Sequence, residues 1–171
     1  MPAPLHEINP LKRRYQIFVS STYDDLREER RHAIQALLES KCIPSGMELF
    51  PAASTSQWEL IKHVIDDCDY YVVIVVGRYG SLTPDGKISY TEREFDYAAE
   101  IGKPIIAFCH EDIDQLQGIK LEKSDLGRAR LEAFRNKALQ RMCRFWKTSE
   151  ALGSAIKSAM FNAIEHQPQP G

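Results

Sequence analysis

The sequence lacks the features that mark several common classes of protein. Its longest apolar run, YYVVIVVG, is far too short to span a bilayer. The formal net charge of −2 gives no overall attraction to nucleic acid or to anionic lipid. No P-loop, G-x-S-x-G motif or internal repeat is present. The sequence therefore predicts no membrane contact and does not favour nucleic acid as a partner.

Cysteine and histidine are few and scattered. The four cysteines lie singly, without a C-x-x-C pair, and the five histidines show no metal-ligand spacing. Each cysteine lies in or beside a predicted core segment, which favours buried, reduced thiols over disulfides or metal ligands. Residues 1–16 lack the apolar core of a signal peptide. We expect a cytoplasmic protein without a metal site and without a bound cofactor.

Length and composition indicate one globular domain. The 171 residues are 43% hydrophobic and 27% charged, which suffices for a core. We expect an N-terminal extension over residues 1–13, a single α/β domain over residues 14–166, and a tail or linker over residues 167–171. The Pro-rich ending is typical of a linker, and we expect further domains to be attached or associated.

Short apolar runs alternate five times with helical patterns. This alternation requires right-handed crossovers, and hence a parallel sheet with helices on both faces. Five strands predict a flavodoxin-like domain with strand order 2-1-3-4-5, which binds ligands where the strand order reverses. The predicted strands are YQIFVS (15–20), IPSGMELF (43–50), YYVVIVV (70–76), PIIAFCH (104–110) and MCRFWK (142–147).

Small hydroxyl residues and glycines follow the first and third strands, which flank the point of reversal. A strand end facing a helix N-terminus favours an anion, and small residues allow phosphate or sugar to approach closely. A structural alternative to ligand binding stays open in each loop. After the first strand, Ser21, Thr22 or Asp24 caps the next helix. After the third strand, Tyr79 fills its own loop. The candidate substrate-binding residues are Ser20, Ser21, Thr22, Gly77, Arg78, Tyr79 and Gly80, with Tyr90 and Thr91 beside them.

Two carboxylates begin the helix that follows the third strand. S-Y-T-E makes Ser89 and Glu92 one capping box, and T-E-R-E makes Thr91 and Glu94 another. Only one register can be the true cap. If Ser89 is the cap, Glu94 lies one turn further on and faces the crevice; otherwise Glu94 is structural.

The chain resembles a TIR-like family of unknown function, found at the N-termini of bacterial STAND-type ATPases and of anti-phage or signalling proteins. The wider group includes TIR domains and nucleoside deoxyribosyltransferases. The R-D-x-x-P-G loop of many TIR domains has no counterpart, since residues 51–57 read PAASTSQ. The resemblance rests on YQIFVSSTYDDLREER, GMELFPA, CDYYVVIVVGRYGS, SYTEREFDYA and CRFWKTSEALGSAI.

The resemblance implies an activity. In the deoxyribosyltransferases the catalytic glutamate lies in T-x-x-E-x-x-x-A, which Thr91, Glu94 and Ala98 match, so the catalytic role passes to Glu94. The implied reaction is cleavage of the nicotinamide–ribose bond of NAD as substrate. A fixed carboxylate would stabilise the positive charge that develops on the ribose ring. The implied partners are a nucleotide, further copies of the chain, and NTPase or sensor domains.

Two other functions compete with this hydrolase. A non-catalytic self-association module of a larger sensor would tolerate the loss of Glu94, provided that helix capping is kept. Nucleic-acid contact is the weaker of the two: the basic residues within 126–147 suggest it, but a solvated helix face or an interdomain contact is the favoured explanation for them. His110, at the end of the fourth strand, is the histidine predicted to approach the crevice.

Overall fold

Strands and helices alternate through the described part of the chain. The structure, a computed structural model, describes residues 13–46 and 55–171, except for the side chains of residues 55 and 56. The strands are β1 (Gln16–Ser20), β2 (Ile43–Gly46), β3 (Tyr70–Val75), β4 (Ile105–His110) and β5 (Met142–Trp146). The helices are α1 (Arg27–Glu39), α2 (Thr55–Asp67), α3 (Tyr90–Glu100), α4 (Asp125–Leu139) and α5 (Ser149–His166).

The five strands form one parallel sheet in the order β2-β1-β3-β4-β5, which confirms the flavodoxin-like prediction. Strand β1 pairs with β2 on one side and with β3 on the other. Ser20, the last residue of β1, is in register with Val73 of β3. The strand order therefore reverses between β1 and β3, and the loops that follow these two strands emerge side by side.

Strand β3 is buried on both faces, as its unbroken apolar run predicts. Tyr70, Val72 and Ile74 belong to the core beneath α1 and α5. The alternate residues of the strand, with Phe18 of β1, belong to the opposite core beneath α2, α3 and α4. Two cores thus hold the sheet in place from both sides.

The apolar stripe of α1 buries only one of two adjacent leucines. Leu37 is fully buried, whereas Leu38 is 58% exposed. The buried stripe runs through Leu26, Arg30, Ala33 and Leu37, and a helix turns about 100° at each residue, so Leu38 leaves that stripe. Among the described helices, none combines the length and the apolarity needed to cross a membrane.

Adjacent leucines of α1 provide a test of this packing. Leu37→Ala should lower the free energy of unfolding by about 2–5 kcal/mol, because it leaves a cavity in the core. Leu38→Ala should change it by about 0.5 kcal/mol or less, because that side chain is mostly exposed. Urea unfolding of both variants checks the difference, and equal losses would contradict the described stripe.

Candidate functional site

A buried hydrogen bond joins β1 to α3 at the carboxyl edge of the sheet. Ser20 Oγ donates to Glu94 Oε2 at 2.6 Å, and each residue is 1% exposed. Ser20 lies there because it ends β1, and Glu94 because it lies in the first turns of the helix that follows β3. The predicted catalytic carboxylate thus lies where the strand order reverses, but inside the protein rather than open to the crevice.

Tyr71 of β3 lies close to this pair. Its ring stacks on Phe18 at 5.5 Å between centroids and meets Phe95 edge-on at 6.4 Å. Burial raises the pKa of the Tyr71 hydroxyl well above its usual value, and the nearby negative charge of Glu94 raises it further. Tyr71 therefore stays protonated and adds no second negative charge beside Glu94.

Ser89 is the N-cap of α3, which selects the first of the two capping registers. Its Oγ accepts from Glu92 N at 3.1 Å. In a complete capping box the Glu92 carboxylate would accept from Ser89 N. Here the Tyr79 hydroxyl lies between them: it accepts from Ser89 N at 3.2 Å and donates to Glu92 Oε2. Lys137 also donates to Glu92, at 2.6 Å. Glu92 is thus held in local structure, and the register that caps with Thr91 is wrong.

The loops after β1 and β3 touch each other. Gly80 has a φ of +93°, and a Cβ there would lie 2.8 Å from Thr22 Cγ2. Ser21 Oγ donates to Thr22 O at 2.6 Å and accepts from Arg30 at 2.7 Å. The alternative that Ser21, Thr22 or Asp24 caps α1 is wrong, because the N-cap position is Leu26 and has no side-chain hydrogen bond.

The other candidate binding residues differ in how exposed they are. Tyr79 is 4% exposed and meets Phe134 edge-on at 6.5 Å, so its ring fills the loop and is not available for stacking on a ligand. Gly77 and Thr91 are also buried, whereas Arg78 and Tyr90 are half-buried. The PAASTSQ stretch lies outside the described residues as far as residue 54.

A group of buried charges beside the β1 loop was not predicted. Asp25, Glu29 and Arg30 are 6%, 4% and 4% exposed. Glu29 accepts from Lys120, which lies between β4 and α4. Burial raises the pKa of Asp25, while a hydrogen bond from Thr22 and the charge of Arg78 act in the opposite direction. The helical spacing of Arg30 with Leu26, Ala33 and Leu37 indicates that it lies on the buried face of α1. Lys120, by contrast, comes from a distant segment that no local pattern relates to Glu29.

His110 is held as a neutral imidazole. It is 5% exposed and packs edge-on against Trp146 at 4.9 Å. Nδ1 accepts from Asp112 N at 3.1 Å, which leaves Nε2 as the donor to Lys147 O at 3.2 Å. Burial lowers the pKa of His110. Both ring nitrogens are bonded to backbone groups, so the geometry gives this histidine a structural role.

Several basic residues of 126–147 are engaged within the domain. Arg130 donates to Gly86 O at 3.3 Å, and Arg135 donates to His110 O at 2.8 Å. Lys137 pairs with Glu92 and with Asp96. These contacts account for part of the local excess of positive charge without a nucleic acid. Among the described residues, no cluster of three or more histidine, cysteine or acidic side chains could hold a metal ion.

The fold and the carboxyl edge of the sheet together define the class of protein. It is a flavodoxin-like α/β domain with a buried carboxylate, Glu94, where the strand order reverses. Residues 16–160 match the family DUF4062, a domain of unknown function. The chain belongs to this family. No curated protein compared with the chain matches it in sequence.

Solved structures are similar to the chain at low sequence identity. A CMP N-glycosidase, BcmB, from Clostridium botulinum superimposes with a TM-score of 0.48 at 15% identity, over 84% of this chain and 98% of its own. For a diflavin flavoprotein A3 from Nostoc sp., the TM-score is 0.46 at 13% identity, over 90% of this chain and 97% of that protein. For a flavodoxin variant from Pseudomonas aeruginosa, the TM-score is 0.38 at 15% identity, over 93% of this chain and 100% of that protein.

The raised pKa of Asp25 predicts a gain of stability when its charge is removed. A carboxyl whose folded pKa exceeds its ordinary value of 3.8 contributes stability below that value and loses this contribution as the pH rises through the folded pKa. Asp25→Asn should therefore melt higher than wild type at pH 7, and the gain should shrink as the pH falls towards 3.8.

Asp24→Asn is the matched control for this measurement. The Asp24 side chain is 72% exposed and pairs with Arg27, so its loss should shift the melting temperature little. Thermal unfolding followed by circular dichroism from pH 4 to pH 8 compares the two variants. An Asp25→Asn protein that melts below wild type at pH 7 would contradict the described burial.

Proposed function

We propose that this domain cleaves the N-glycosidic bond of NAD or a related nucleotide when it self-associates, with Glu94 as the catalytic carboxylate. The supporting observation is the position of Glu94. It is fixed at 2.6 Å by Ser20 at the point where domains of this fold bind ligands. Its neighbour Glu92, by contrast, is held by Tyr79 and Lys137.

The chemistry requires few groups. The bond between ribose C1′ and the nicotinamide nitrogen breaks, and its electron pair leaves with nicotinamide, which becomes neutral. Positive charge then develops on the ribose ring, where a fixed carboxylate stabilises it or forms a covalent bond to C1′. Water finally supplies a hydroxyl to C1′ and releases a proton. Ser20 is a positioning residue in this scheme, because its hydroxyl bonds to Glu94.

Burial sets a condition on this activity. With Glu94 only 1% exposed, a substrate reaches it after neighbouring loop residues move aside. Self-association would supply such a rearrangement, and the TIR-like resemblance implies a site that a neighbouring copy of the chain completes. The dilute isolated domain should therefore show weak turnover, and the assay requires concentrated or clustered protein. The resemblance further suggests a signalling or anti-phage defence role inside bacterial cells.

Exchanging each glutamate in turn tests the catalytic assignment. In clustered protein, Glu94→Gln should lower nicotinamide release from NAD by roughly a hundredfold or more, as expected when a charged catalytic group is lost. Glu92→Gln should retain release within a few-fold of wild type, because that side chain holds the start of the helix. Chromatographic separation of nicotinamide from the other products measures both rates, after thermal unfolding has confirmed that both variants are folded.

A non-catalytic self-association module is the second candidate. Two observations favour it: the near-complete burial of Glu94, which a purely structural glutamate would share, and the exposure of Phe145 (56%) and Phe161 (69%). Strand β5, which carries Phe145, also has a free edge in the described sheet. Absence of nicotinamide release from clustered wild type, together with concentration-dependent sedimentation, would favour this module.

A further inference from the structure

The segment between β4 and α4, residues 111–124 and here called the strap, lies against the loop that follows β3. Glu122 N donates to Gly77 O at 2.7 Å. A Cβ at Gly77 would lie 2.1 Å from Lys120 O, so the strap backbone passes directly over this glycine. Glycine at position 77 is what allows the two segments to approach so closely.

The strap also carries a carboxylate to this loop. Glu122 Oε2 accepts from Tyr79 N at 3.0 Å. The same side chain passes over the first turn of α4, where a Cβ at Gly127 would lie 2.6 Å from Glu122 Cδ. The Glu122 carboxylate thus lies between a loop N–H and the start of a helix, where backbone donors favour a negative charge.

The charge is not needed to attach the strap. The backbone bond from Glu122 N to Gly77 O joins the segments without the carboxylate, and Lys120 attaches the strap separately to Glu29. The Glu122 carboxylate therefore occupies the Tyr79 N–H, a hydrogen-bond donor that an anionic ligand could use instead. Arg78, half-buried next to Tyr79, supplies a cation in the same loop.

We propose that the Tyr79 N–H position is the docking site for a phosphate of the nucleotide, and that Glu122 holds it as an intramolecular competitor. The identity of the ligand rests on the proposed function, whereas the competition rests on the contacts of the strap. Binding exchanges one anion for another at the same donor. Removing the carboxylate should then favour the phosphate without affecting the rest of the ligand.

The test is equilibrium binding of AMP and adenosine, which differ only in the phosphate. Calorimetric titration at fixed ionic strength should show that Glu122→Gln and Glu122→Ala bind AMP about tenfold more tightly than wild type, a change equivalent to about 1.4 kcal/mol. Their affinity for adenosine should not change. Glu122→Gln keeps the size of the side chain and provides a folded variant if the alanine variant unfolds.

Asp114→Asn controls for the loss of one negative charge from the strap. Asp114 is exposed on the same segment, and its loss should leave AMP binding within about twofold of wild type. Equal tightening of AMP and adenosine, tightening by Asp114→Asn as large as by the Glu122 variants, or no effect of Glu122 on AMP would overturn the proposal.

An NAD-cleavage assay of the same variants keeps the two proposals distinguishable. Glu94-dependent cleavage combined with unchanged AMP affinity in the Glu122 variants would leave the proposed function standing and remove the phosphate site. Tighter AMP binding without any cleavage in clustered protein would leave the phosphate site standing and remove the proposed reaction.

Discussion

The hydrogen bond between Ser20 and Glu94 depends on the parallel pairing of β1 with β3. That pairing places the end of β1 beside the loop that leads into α3, so a hydroxyl and a carboxylate 74 residues apart meet at 2.6 Å. The two cores on either face of the sheet keep this register, since shifting a strand by one residue would move its side chains to the opposite face. The candidate site is therefore a product of the sheet rather than of any local motif.

Charged groups are also buried in the loops after β1 and β3 and in the first turn of α1, which lowers stability. Among the described residues, Asp25 Oδ2, Glu29 Oε2 and Arg78 Nε are buried without a hydrogen-bond partner. The large majority of buried polar side-chain atoms in proteins find a partner, so these three at one edge of the sheet require an explanation. Functional sites are where proteins tolerate such departures. A ligand with hydroxyl and phosphate groups offers partners of the right kind for both carboxylates and the guanidinium.

The sequence predicted the framework because its signals are periodic and local. The unbroken apolar run of β3 is typical of a doubly covered strand, and the alternation of five strands with helices indicated a parallel sheet and favoured the flavodoxin-like strand order. It also restricted the cap of α3 to two registers. It could not choose between them, because the choice depends on the Tyr79 hydroxyl, which lies ten residues before Ser89 in the same loop and links Ser89 N to Glu92. It missed the buried charges for a related reason, since the partner of Glu29 is Lys120, 91 residues away.

Chemical rescue would test most directly whether Glu94 takes part in chemistry. Glu94→Ala removes the carboxylate and leaves space that a small carboxylate such as formate can enter. The account predicts that clustered Glu94→Ala releases almost no nicotinamide from NAD, and that added formate restores part of the rate. Release equal to wild type without formate, or an inactive variant that formate does not rescue, would contradict it and leave Glu94 as a structural contact of β1 with α3.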